Sequence, residues 1–446
     1  MEHNLTTGSV AKNAAKFSLP FLLSYFLQTL YGMADLAVIG MFCPTASTTA
    51  VSVGSQIMHM LTVVLVGLAM GSTVLIARAV GAEDKKTAAR VIGSTAVLFL
   101  VLSLVLTGAL LLLVRPIVAL VSTPAEAVKG TAAYLTVCFC GIPFITAYNI
   151  ICSIYRGAGD SKSPMIFVAV ACGCNIVLDI LLIGVFKMDS SGAALGTVLA
   201  QMLSVAFALV SLKKRGMGIP ISREDFRPDR ETLGSVLKIG VPVAVQDGLI
   251  QIAFLSITIF ANRRGMNDAA AVGIVEKVIG ILFLVPSSML QTTSALSAQN
   301  IGAQKPERAR QTLWICMAAA VGWGLFATLV MQLAAEPFVG LFRRDTEVVR
   351  LGGQYMRGYV MDCMLAGVHF CFSGYFCALG KSGVSFIHNL LSMMLVRIPF
   401  AWWASVTFES LFPMGLASTF GSMLSVAICA GVYFALERKR KREAES

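Results

Sequence analysis

The chain has 446 residues, 57% hydrophobic and 13% charged, with 35 Lys and Arg against 24 Asp and Glu for a net charge of +11. A mean hydropathy of +0.78 excludes a soluble globular domain and points to an all-α integral membrane protein. Nucleic acid is not the partner implied by the positive charge, because the basic residues sit in short loops between apolar runs.

The N-terminal stretch MEHNLTTGSVAKNAAK is polar and lacks a compact apolar region followed by a small-residue cleavage site, so the first apolar run is expected to remain as a helix. That run, residues 17–41, is long enough to cross a bilayer yet carries Pro20 near its start and Asp35 near its end. Ser24, Gln28, Tyr31 and Asp35 follow one another at steps of four, three and four, which puts the polar groups on one helical face. A carboxylate at bilayer depth costs roughly 2.5–3.5 kcal/mol on insertion scales. Asp35 therefore either bonds a neighbouring helix or serves a function in a wet interior, and the functional reading is preferred.

Further spans are expected at 50–77, 91–114, 129–155, 164–186 and 192–212, then a polar segment, then spans at 235–261, 269–298, 312–333, 348–377, 384–406 and 413–436. This divides the chain into a six-helix lobe (1–212), a cytoplasmic linker (213–234) and a second six-helix lobe with a basic tail (235–446). Basic residues concentrate at the ends and in even-numbered loops, as in Lys85-Lys86, Lys213-Lys214-Arg215 and Arg438 to Arg442. That bias places both termini in the cytoplasm of a multi-pass plasma (inner) membrane protein, with the basic tail beside anionic lipid.

The halves repeat at an offset of 221 residues: Gly81-Ala82 matches Gly302-Ala303, Tyr134 matches Tyr355, Gly159 matches Gly380, and the string MLSV at 202 recurs at 423. Pro20 and Pro242 depart from this offset by one. Six spans per copy is an even number, so the expected architecture is a parallel repeat of two pseudo-symmetric bundles, about twelve helices in all, as in transporters.

The fifth span adds Asn175 and Asp179, one turn apart, and the sixth adds Thr197, Gln201 and Ser204 on one face. Two carboxylates, a carboxamide and a hydroxyl are hard oxygen ligands suited to a proton or Na⁺, and a polar plug between helices is the alternative. The 221-residue shift places Val396, Phe400 and Ser418 opposite Asn175, Asp179 and Thr197, so ion coupling is assigned to the first half. The second half has Asp247 with Gln251, Glu276-Lys277 and Arg397, for which internal ion pairs are the simpler reading and a substrate role for Asp247 or Glu276 the other.

No enzyme is expected. The histidines His3, His59, His369 and His388 are isolated and form no metal-binding or catalytic pattern, and GAGDSKS lacks P-loop spacing, so ATP is not the direct energy source. The 11 cysteines are scattered, with C-x-C pairs at Cys138/Cys140 and Cys172/Cys174, and read as small thiols inside membrane helices. No cofactor is expected beyond a coupling ion.

Several features together resemble the multidrug and toxic compound extrusion (MATE) family, of the DinF-like type. They are Pro20 with Asp35, Gly81-Ala82 after the second span, YRGAGDSKSP after the fourth, Asn175 with Asp179, Thr197, and QNIGAQ after the eighth. The resemblance implies a V-shaped pair of six-helix lobes with alternating access, exporting organic-cation or amphipathic drugs in exchange for Na⁺ or H⁺. It also implies that Asp35, Asn175, Asp179 and Thr197 form the cation site (a metal site if the ion is Na⁺), and that Pro20 permits bending of the first helix. Gln28, Tyr31, Gln201, Asp247 and Glu276 are candidates for substrate contact or gating, in a protein expected to be a monomer. Other family branches carry a glutamate eight residues after the seventh-span proline, where this chain has Ile250. A lipid-linked oligosaccharide flippase of the same superfamily is the alternative.

Overall fold

The computed structural model describes residues 5–121 and 123–445, which leaves His3 outside. The helices of the first half are α1 (Val10–Phe42), α2 (Thr45–Gly81), α3 (Lys85–Leu120), α4 (Val128–Cys140), α5 (Ile142–Gly157), α6 (Lys162–Asp179) and α7 (Asp189–Arg215). A 3₁₀ turn (Arg223–Phe226) leads to α8 (Arg230–Arg264), α9 (Met266–Leu282), α10 (Leu284–Gly302), α11 (Pro306–Gly340) and α12 (Thr346–Tyr359). The chain ends with α13 (Met361–Ala378), α14 (Ser382–Ser392), α15 (Ile398–Thr407) and α16 (Phe412–Glu445). Among the described residues, 11 helical runs are long and apolar enough to cross a membrane, and the α4–α5 pair, bent by 53°, makes up to 12.

Several expected spans are not single straight helices. The 129–155 span breaks at Gly141, just before Pro143, whose missing N–H and ring favour the first turn of a new helix over the interior of an old one. The 269–298 span breaks at Phe283, ahead of Pro286, and α11 kinks at Ala334 (φ −122°), three residues before Pro337. Spans five and eleven pass through π-helical turns, Ile180–Val185 directly after Asp179 and Met393–Arg397 just before Pro399. The 348–377 span breaks at Val360 with no proline to account for it.

The chain packs as two compact units. The first holds Leu19–Ala244, with Met1–Thr7 and Gly302–Gln304; the second holds Gly8–Ser18, Val245–Ile301 and Lys305–Ser446. In the first, Ile39, Val51, Tyr134, Phe139 and Ile183 form a core; in the second, Val272, Val275, Tyr355, Tyr359 and Ala417 do so. Lipid tails are as apolar as leucine, so close backbone approach holds such helices together more than water exclusion does. At the α12–α16 crossing, a Cβ on Gly358 would stand 2.4 Å from the carbonyl oxygen of Phe412, and one on Gly415 would stand 2.5 Å from that of Tyr355. Only hydrogen fits at either position.

The repeat reaches the backbone. Glu83 and Gln304, which share the 221-residue offset, both hold left-handed φ values of 60° and 57°, and so do Gly159 (90°) and Gly380 (71°). Ser204 Oγ donates to the Phe167 carbonyl at 2.7 Å, and at the equivalent place Ser425 Oγ donates to the His388 carbonyl at 3.4 Å.

After the Glu83 turn, Asp84 caps α3 by accepting from the Thr87 amide at 2.9 Å and the Thr87 hydroxyl at 2.6 Å. These bonds, the hydroxyl's first, hold the Asp84 carboxyl below its ordinary pKa. Asp84→Ala is expected to cost about 1 kcal/mol, read as a lower thermal midpoint of the detergent-solubilised protein at pH 7. The depressed carboxyl stabilises fully above its unfolded value of about 3.9, and the difference from wild type shrinks as pH falls through the lower folded value. Equal midpoints at pH 7 would remove the cap from the account.

Candidate functional site

The first unit gathers Asp35 from α1, Asn175 and Asp179 from the end of α6, and Thr197 from α7. Asp35, Asn175 and Asp179 are buried and Thr197 is partly so. The Thr197 hydroxyl lies 3.0 Å from the Ala193 carbonyl and 3.4 Å from Asp35 Oδ2, and Asn175 Nδ2 reaches Asp179 Oδ1 at 3.5 Å. The i, i+4 spacing of Asn175 and Asp179 sets the second contact; only the packing of α1 against α7 sets the first.

The two carboxyl groups lie within hydrogen-bonding reach of each other, with Asn175 beside Asp35 and the Tyr31 hydroxyl near Thr197. Asp35 Oδ1, Asp179 Oδ2 and Asn175 Oδ1 are buried, and among the described residues no protein donor meets them. Ionised carboxylates only accept, so neither acid can satisfy the other. A proton or a small cation between them would satisfy both.

The remaining candidates fall elsewhere. Gln28 is exposed on α1 and lies beside Tyr148, while Gln201 sits one turn beyond Thr197 with its carbonyl oxygen buried and without a donor. Asp247 lies beside Gln246 and Glu276 beside Thr258.

Internal ion pairs were the simpler expectation for Asp247, Glu276 and Arg397, and among the described residues only Arg397 makes one. Its partner is Asp362 of α13, at 3.3 Å, with 12% and 1% of the two side chains exposed. Sequence reasoning passed over Asp362, although a lone acid in an apolar run is the signal that singled out Asp35. The histidines are not all isolated either. His369 and His388 meet edge to face with ring centroids 5.6 Å apart, His369 against Ser422 Oγ at 3.2 Å and His388 against Ser373 Oγ at 2.9 Å.

Two copies of one bundle of membrane-length apolar helices define a multi-pass membrane protein. The chain belongs to the MatE family, whose model matches residues 20–181 and again 242–403. The probable multidrug resistance protein YpnP of Bacillus subtilis is 27% identical over 398 residues, 89% of each chain. The multidrug export protein MepA of Staphylococcus aureus is 24% identical over 396 residues, 88% of this chain and 87% of its own. In fold the chain is similar to a MATE crystallised with MaL6 (TM-score 0.90, 23% identity, 98% and 97% of the two chains). It is also similar to a MOP superfamily transporter from Pyrococcus furiosus (0.89, 23%, 99% and 98%). These drug-resistance relatives do not favour the flippase alternative.

Arg397→Met should leave Asp362 as a buried charge without its partner and cost about 3–5 kcal/mol. Replacing both, as Asp362→Leu with Arg397→Met, should recover most of that loss. Thermal unfolding of the three proteins in detergent tests this, and a single variant as stable as the wild type would show that the pair carries no structural weight.

Proposed function

We propose that the protein is a secondary active antiporter that exports organic-cation or amphipathic drugs in exchange for Na⁺ or H⁺. Asp35, Asn175, Asp179 and Thr197 hold the coupling ion. The observation that carries this reading is the buried acceptor-only carboxyl pair, which a bound proton or cation would satisfy. Na⁺ would find four oxygen donors of the hard kind it prefers, and H⁺ would bridge the two acids.

In one state the bound ion lowers the negative charge of the acid pair by one; in the other its release favours a rearranged first lobe that accepts the drug. The ion drives the switch only through its different affinity for the two states. A membrane potential adds about 2.3 kcal/mol per charge per 100 mV, so the charge carried in each direction sets the driving force. Pro20 lets α1 bend, while Gln28, Tyr31, Gln201, Asp247 and Glu276 contact or gate the substrate. The protein works as a monomer in the plasma membrane with both termini in the cytoplasm, needs no bound cofactor, and is not an enzyme.

Efflux of a fluorescent cationic dye from energised vesicles, under separate Na⁺ and pH gradients, tests this. One gradient should drive efflux in the wild type, and Asp35→Asn should reduce it to the passive leak. Efflux that persists unchanged in Asp35→Asn would remove this acid from the mechanism, and no efflux under either gradient would overturn the antiport reading.

A further inference from the structure

A backbone closes off one side of the acid pair. A Cβ built on Gly196 would stand 2.3 Å from Asp179 Oδ1, closer than any carbon approaches an oxygen without bonding. The α-carbon of Gly196 therefore backs one carboxylate oxygen, and Asn175 Nδ2 stands 3.5 Å from that same atom. Asp179 Oδ2 is left as the oxygen with no protein donor among the described residues. The glycine lies on a helical stretch of α7, where backbone freedom is not needed and alanine is the better helix former by about 1 kcal/mol.

The second repeat shows what the position holds when no acid stands opposite. At the 221-residue offset, Phe400 replaces Asp179 and Ala417 replaces Gly196, with Ala417 fully buried in the core that Phe400 packs against. Both copies keep the neighbouring bond of the same helix pair, Ser204 to the Phe167 carbonyl and Ser425 to the His388 carbonyl. Along the sequence the two copies thus differ together at these two positions, and the π-helical turn that follows Asp179 in the first copy precedes Phe400 in the second.

We infer that Gly196 is a positioning residue for the coupling acid: by lacking a side chain it seats the Asp179 carboxylate against α7 and presents Oδ2 to the ion. This rests on the proposed cation site. Gly141 supplies a control, because a Cβ there would come within 2.3 Å of Val198 on the same helix but would meet only an apolar side chain.

Two measurements test the assignment. Dye efflux against concentration of the driving ion compares wild type, Gly196→Ala, Gly141→Ala and Asp35→Asn. Gly196→Ala should raise the half-saturating ion concentration about 10–100-fold, the range for losing a group that orients an ion's ligand. Gly141→Ala should keep the wild-type value. Thermal unfolding in detergent then compares Gly196→Ala with Gly196→Ala/Asp179→Ser, whose shorter side chain leaves room for the methyl group. The alanine should destabilise the wild type but not the Asp179→Ser protein, a coupling that a general packing defect would not produce. A wild-type ion dependence in Gly196→Ala, the same shift in Gly141→Ala, or an equal loss of stability in both backgrounds would overturn the assignment. If Gly196→Ala does not fold, folding of the double variant supports the assignment and its failure overturns it. An ion dependence unmoved by Asp35→Asn would instead overturn the cation site, while the stability comparison still decides whether Gly196 seats Asp179.

Discussion

A polar group inside a bilayer must find its partner within the protein, because no water is there to supply one. Asp35 and Asp179 put that constraint at its sharpest, as two buried carboxyl groups in reach of each other and acceptors only when ionised. Much of the first unit's local irregularity collects around them. The α-helical hydrogen bonding of the fifth span gives way to a π-helical turn immediately after Asp179, α7 comes close enough to require a glycine, and Thr197 divides its hydroxyl between a backbone carbonyl and Asp35. Each feature makes sense if the carboxyl groups must stay close without becoming permanently paired.

The second unit solves the same constraint differently. One of its acids, Asp362, carries its own counter-charge in Arg397, so nothing exchangeable is needed to neutralise that one. Both copies retain the left-handed turn at Glu83 and Gln304 and the serine bond across the fifth and sixth spans. Such contacts use backbone atoms and are indifferent to the side chains that line the interior. A duplicated frame can therefore keep its geometry while one copy holds an acid pair and the other a guanidinium, a histidine pair and aromatic rings.

What could be read from the sequence follows the range over which each signal acts. Span positions come from hydropathy summed along one segment, and the polar face of Asn175 and Asp179 from neighbours one turn apart. The repeat showed as an offset preserved over half the chain. Pairings across helices were not legible, because periodicity within one helix does not say what another presents. His369 and His388 are 19 residues apart and Asp362 and Arg397 are 35 apart, and in each case only the packing makes them partners. In the sequence Gly196 is one more small residue in an apolar run, and only the place of Asp179 Oδ1 beside it sets it apart. The breaks at Gly141 and Phe283 and the kink at Ala334 were signalled by nearby prolines, whereas the break at Val360 had no such signal.

Proline also marks where α1 and α8 change partners. The first eleven residues from Gly8 belong to the second unit and α1 joins the first from Leu19, next to Pro20; α8 leaves the first unit after Ala244, two residues past Pro242. A proline removes one N–H from the helical ladder and pushes against the preceding turn, so bending is cheapest there. At Pro20 the Ser24 hydroxyl also donates to the Pro20 carbonyl at 2.9 Å, a side-chain bond that itself favours bending. Asp35 lies 15 residues further along the same continuous helix, about 22 Å at the α-helical rise. Under the proposed exchange, gain or loss of the ion at Asp35 acts on a rigid rod whose weakest point is where it passes from one unit to the other. A small adjustment at the acid pair then has one preferred place to be relieved, and that place lies outside the site.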